Sequence, residues 1–158
     1  MALSNATGKL VLTTGNRSEL AVGYCTLYGD MAGGYAILKN VPKTMVYQLA
    51  EHRNKASNVI PTNTLRREPT AELAPNQKDQ DTLPPYADLD QILLSYLNHG
   101  EGIDEIVARG FDPLLVTDVV KMIHRSEYKR KQYAVGPQIH HTSFIKDWRY
   151  PITNGFKG

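Results

Sequence analysis

The chain has 158 residues, 41% hydrophobic and 22% charged, which suits one folded unit with a single core. Its formal net charge of +2 is too small to argue for nucleic acid, and the lone cysteine, Cys25, excludes an internal disulfide and a four-cysteine zinc site. No charged start leads into a long apolar run, so neither a signal peptide nor a membrane span is expected, and the reducing cytoplasm is the expected compartment.

In chain order, Met1 to Asn5 reads as the last turn of a helix that Gly8 stops. Lys9 to Thr13 (KLVLT) has the β-rich apolar character of a buried parallel strand. Thr14-Gly15-Asn16 turns the chain, and Asn16 with Glu19 three positions on forms a capping box. The helix that follows is short, because Gly23 and the glycine-rich 28–34 stretch break it. Tyr35 to Leu38 predicts a second extended piece. Pro42 suits the first turn of a helix carrying Val46, Leu49 and Ala50, with Asn40 as its candidate cap. Val59-Ile60, against Pro61, predicts a brief strand or extended segment. The polar stretch from Thr62 to Tyr86 holds four prolines and reads as a long functional or mobile loop.

The final third is helical. Leu89, Ile92, Leu93 and Tyr96 make one apolar face, and Ile103, Ile106 and Val107 make another. Asp112-Pro113 is a cap followed by proline, and Leu115, Val119, Met122 and Ile123 recur after it at helical spacing. The tail from Tyr133 shows little periodicity. The order is α/β in character, yet it offers only two strands where sheets average about five or six, so the elements read as part of a domain.

Leu10 to Glu19 (LVLTTGNRSE) places polar residues at the end of a parallel strand and the start of a helix, where open α/β sheets bind ligands and phosphates. A capped helix with a solvated turn explains the same residues. The 29–34 glycines end in no Walker or dinucleotide signature, and an ordinary turn accounts for them. Lys43 opposes the dipole of the helix it begins, which suits a lysine that meets an anion as well as a solvated one. His140-His141 has no partner at zinc spacing, and Cys25 has no evident base. Lys121, Arg125, Lys129 and Arg130 recur at helical spacing, as a solvated face or as an anion site.

Taken together, TTGNRSE, GYCTLYGDMAGGYA, VPKTMVYQLA, EPTAEL, QKDQDTLPPYADLDQIL, EYKRKQ and RYPITNGF, in that order, resemble the bacterial glutamine-dependent NAD+ synthetases from about Leu3 to Phe156. The resemblance implies the C-terminal part of a Rossmann-like parallel-sheet domain of the adenine nucleotide alpha-hydrolase type, with a mainly helical final third. It implies an ATP-dependent amide ligase, in which MgATP adenylylates deamido-NAD+ and ammonia derived from glutamine displaces AMP. Thr14, Lys43 and Thr70 match ATP contacts of the family. Glu19 and Lys129 match deamido-NAD+ contacts, and Glu19 also matches a magnesium ligand. The 74–85 loop matches a mobile segment that excludes water.

Residues 1–158 contain no Ser-Gly-Gly-x-Asp-Ser pyrophosphate loop and no nitrilase-like Glu-Lys-Cys triad. The upstream segment and the glutaminase domain are therefore expected as missing partners, and the isolated chain is expected to be inactive. Leu27 and Gly34 stand where ammonia-dependent relatives carry lysine and aspartate, which favours the glutamine-dependent branch. The resemblance also implies a homo-oligomer, with neither membrane nor nucleic acid as partner. The alternative is a non-catalytic remnant that keeps the dimer surface and a weak nucleotide site.

Overall fold

Two short strands set the frame in the computed structural model, which describes residues 1–140 and 148–156. Strand β1 (Leu12–Thr13) follows helix α1 (Ala2–Thr7) and pairs in parallel with β2 (Tyr35–Ala36), Leu12 opposite Tyr35 and Thr13 opposite Ala36. Parallel neighbours need a crossover, and α2 (Arg17–Val22) provides it. The Asn16 capping box forms as expected: its side chain accepts from the Glu19 N–H at 3.0 Å, and Glu19 accepts from the Asn16 N–H at 3.2 Å.

The glycine-rich turn serves the sheet. Gly34 N–H donates to Val11 O at 2.9 Å, and a side chain at Gly33 would strike Thr13. That close approach is what the glycines permit. On the far side of β2, Ala36 N–H donates to Val135 O at 2.7 Å, so the tail after Tyr133 runs along that edge. Buried Lys39 donates to Ala134 O, and Asn40 donates to Pro137 O, strapping the tail in place.

Asn40 therefore does not cap the next helix, α3 (Lys43–Ala56), contrary to expectation. Val59-Ile60 is no strand either: both amides donate to Asn54 Oδ1, which folds the chain back on the end of α3. The proline-rich stretch holds the short helix α4 (Thr62–Arg66) and a 3-10 turn over Asp79–Asp81. Lys9 to Thr13 is also less buried than expected. Thr13 is covered, but Leu10 is 66% and Leu12 52% exposed, because among the described residues no further strand lies against β1.

The core is built by α2 and the helical third. Helix α5 (Tyr86–Leu93) continues into a π-helical turn over Leu94–His99, followed by α6 (Ile103–Ala108), α7 (Pro113–Arg125) and α8 (Glu127–Arg130). Leu20, Leu89, Ile92, Leu97, Ile106 and Ile123 are all at most 1% exposed and pack together. Asp112 caps α7 as expected, accepting from the Leu114 N–H at 3.1 Å. Among the described residues no helix is long and apolar enough to cross a membrane.

Candidate functional site

The end of β1 and the start of α2 open onto a cleft of about 940 Å³. Thr14, exposed, and Glu19, half-buried, line it from the strand–helix turn. Lys43 enters from the first residue of α3, Thr70 from the proline-rich stretch, and Lys129 from α8. Residues more than 100 positions apart thus face one hollow, and it lies where parallel α/β sheets place their ligands.

The cations in it are held. Lys43 Nζ lies 2.9 Å from Glu19 Oε1 and 5.3 Å from the centroid of the Tyr86 ring. Lys129 Nζ donates to Gly23 O and Cys25 O, both at 2.7 Å, closing the C-terminal end of α2 where its dipole is negative. Lys129 therefore both lines the cleft and ties α8 to α2. Among the described residues no group of three metal-binding side chains occurs. Glu19 shares the cleft lining with Asp30, Glu72 and Asp79. Mg2+ takes one or two carboxylates and fills its sphere with water and phosphate oxygens, so Glu19 could serve as one such ligand.

Two cleft residues escaped the sequence reading. Asp79 is 3% exposed; its Oδ2 accepts from the Tyr86 hydroxyl at 2.7 Å, while its Oδ1 has no hydrogen-bond partner. Burial first, then that bond, raises the Tyr86 pKa. The Tyr24 hydroxyl is likewise buried without a hydrogen-bond partner, and its pKa is raised, first by burial and then by the Asp79 charge. Asp79 sits in an aperiodic polar stretch, so no spacing marked it. Cys25 lines the cleft, but burial pushes its thiol up to about 11, which removes it as a nucleophile at neutral pH.

The late basic run does not form one face. Arg130 is buried at 3% exposure against Glu127, Lys129 is spent on carbonyls, and Arg125 lies outside. The second residue of the His140-His141 pair lies outside the described residues.

A parallel strand pair with a capped helix turn at its end and two lysines facing one hollow defines an α/β domain with a polar cleft at the strand ends. The sequence comparisons narrow this. The NAD synthase family profile matches residues 1–133, and the chain belongs to that family. It is 54% identical over 159 residues to a glutamine-dependent NAD(+) synthetase of Acinetobacter baylyi, covering 99% of this chain and 29% of that protein. The corresponding enzyme of Thermotoga maritima is 55% identical over 159 residues, at 99% and 28% coverage. Among solved structures, a glutamine-dependent NAD(+) synthetase of Cytophaga hutchinsonii matches with TM-score 0.71 at 19% identity, over 98% of this chain and 26% of that one. An NMN synthetase of Francisella tularensis matches with TM-score 0.64 at 25% identity, over 82% and 47%. The fold is thus the expected partial Rossmann-like domain. The chain spans less than a third of the length of the curated relatives it matches.

Proposed function

We propose that these residues supply one wall of an ATP-dependent ligase site that converts deamido-NAD+ to NAD+ through an adenylylated intermediate attacked by glutamine-derived ammonia. The convergence of Thr14, Glu19, Lys43, Thr70 and Lys129 on one cleft carries the reading. In it, Thr14 gives its hydroxyl to ATP at the strand end, and Thr70 closes on the nucleotide from the facing loop. Lys43 swings from Glu19 to the phosphates, where charge grows as pyrophosphate leaves. Lys129 and Glu19 contact deamido-NAD+, and Glu19 is the residue that would hold Mg2+. When bound, that ion offsets the negative charge of the phosphates.

The pyrophosphate loop and the glutaminase domain are supplied from outside residues 1–158 in this reading, and the synthetase works as a homo-oligomer. One observation favours the alternative of a non-catalytic interaction unit: the uncovered side of β1, with Leu10 and Leu12 exposed. Deamido-NAD+-dependent exchange between ATP and pyrophosphate separates the two. The protein expressed from its own gene should support exchange, and Lys43→Met should lower it at least about 100-fold, as loss of a charge-stabilising group does. Wild-type protein without exchange, on its own and with a glutaminase-containing partner, would remove the ligase reading.

A further inference from the structure

The first residues of α3 need partners that α3 does not supply. Pro42 precedes the helix and offers no side-chain acceptor, so the Lys43 and Thr44 amides would be orphaned. Two other elements fill the gap. Lys43 N–H donates to Ser18 Oγ at 2.9 Å, and Thr44 N–H donates to Asp90 Oδ2 at 2.9 Å. The Thr44 hydroxyl also donates to Asp90 Oδ2, at 2.7 Å, and the Ser18 hydroxyl donates to Asp90 Oδ1. One carboxylate thus receives three hydrogen bonds, on both oxygens, at the positive end of a helix.

These bonds join the three elements that surround the Lys43 ammonium. Ser18 lies next to Glu19 on α2, Lys43 and Thr44 begin α3, and Asp90 lies on α5 one turn after Tyr86, whose ring Lys43 overlies. Buried Arg17 feels the Asp90 charge as well, which raises its pKa against a larger lowering by burial. Asp90 itself does not line the cleft.

We propose that Asp90 is the positioning residue that sets Lys43 against Glu19 at the cleft, acting through the α3 cap. The functional meaning rests on the reading of Lys43 as the phosphate-binding lysine. The Thr44 N–H requires Oδ2 to accept, and the Ser18 hydroxyl donates to Oδ1. An asparagine could keep the Thr44 bonds only by turning its NH2 group to Ser18 Oγ, which reverses the Ser18 bond and removes the negative charge at the start of α3.

Competitive acetylation of lysines with acetic anhydride tests the geometry without activity. Asp90→Asn should raise Lys43 labelling about tenfold relative to Lys131, the loss expected for a charge-assisted bond, and leave buried Lys39 unchanged. The milder Thr44→Val should move Lys43 the same way by less, which keeps the test open if Asp90→Asn folds poorly. Unchanged Lys43 labelling in both variants, or Lys39 rising in step with it, would overturn the proposal. Calorimetric titration with MgATP supplies a second arm. Asp90→Asn should weaken binding about tenfold, and Asp90→Asn/Lys43→Met should bind no more weakly than Lys43→Met alone. Further weakening in the double variant would also overturn it. Wild-type protein that binds no MgATP would instead count against the ligase reading, while the labelling result would still decide the role of Asp90.

Discussion

Arg130 shows what a residue's neighbours can hide from its sequence position. Its guanidinium donates to Glu127 Oε2 at 2.9 and 3.1 Å and to Ala21 O at 2.6 Å, with both side chains at most 4% exposed. Helical spacing grouped Arg130 with Lys121, Arg125 and Lys129, but α8 is four residues long and spacing cannot choose which side of one turn faces inward. The carbonyls that draw Arg130 in lie 109 positions earlier, at Ala21, and on α7, at Ile123. Removing one member of such a pair strands a buried charge. Glu127→Ala should therefore cost about 3–5 kcal/mol in urea denaturation, and Glu127→Leu/Arg130→Met should recover most of it. A loss for Glu127→Ala within the error of the measurement would mean that the pair is open to water. At the same scale, strand-end and helix-start chemistry is local, so the sequence singled out Thr14, Glu19 and Lys43, and the structure brings all three to one cleft. Thr70 and Lys129 entered through the family resemblance, and Asp79, in a segment without periodicity, entered through neither.

At the scale of elements, period and capping identified the helices well. The Asn16 box, the Asp112 cap and the apolar faces of α5, α6 and α7 form as the spacing predicts. Misreadings arose where a partner from elsewhere overrode a local signal. Asn40 left α3 to bind Pro137, Asn54 claimed the Val59 and Ile60 amides, and Asp90 replaced the missing cap. The tail after Tyr133 showed little periodicity because its described parts meet β2 and α7 through single backbone and side-chain bonds rather than through a repeating face. His124 on α7 anchors part of it: Asn154 donates to Nδ1 at 2.7 Å, which leaves the imidazole proton on Nε2, 2.8 Å from the Tyr96 hydroxyl. The Tyr150 ring lies 4.2 Å from that of His124. Burial, and then Arg130, lower the His124 pKa, so the fold holds the neutral form. The unfolded chain protonates first as pH falls. This contribution is thus complete above the ordinary histidine pKa of about 6.5 and is lost as pH drops from there toward the lower folded value. Urea midpoints should fall between pH 7 and pH 5 more steeply in wild type than in His124→Gln. Equal slopes would assign the acid sensitivity to other groups.

Over the whole molecule, the two halves are unevenly finished. The helical third closes on a shared core, whereas among the described residues β1 has a single strand neighbour and α3 buries none of its residues. Leu49, one of the apolar residues that α3 carries, is 48% exposed. A bare parallel edge with exposed leucines promotes association. The chain should sediment as a concentration-dependent oligomer, and Leu10→Lys/Leu12→Lys should shift it toward monomer. A monodisperse wild-type monomer would show that the edge is inert. The two-strand count was legible from sequence, and so was its consequence that the sheet is incomplete. What the count could not show is that the cleft forms on this partial sheet, because α3 and α8 are each hydrogen-bonded to α2. The most direct test of that cleft is hydrogen exchange of the protein with and without MgATP and deamido-NAD+ together. Exchange should slow across residues 14–19, 43–44, 70–79 and 129, with the 103–120 helices unchanged. No ligand-dependent protection, or protection confined to residues away from these segments, would contradict it.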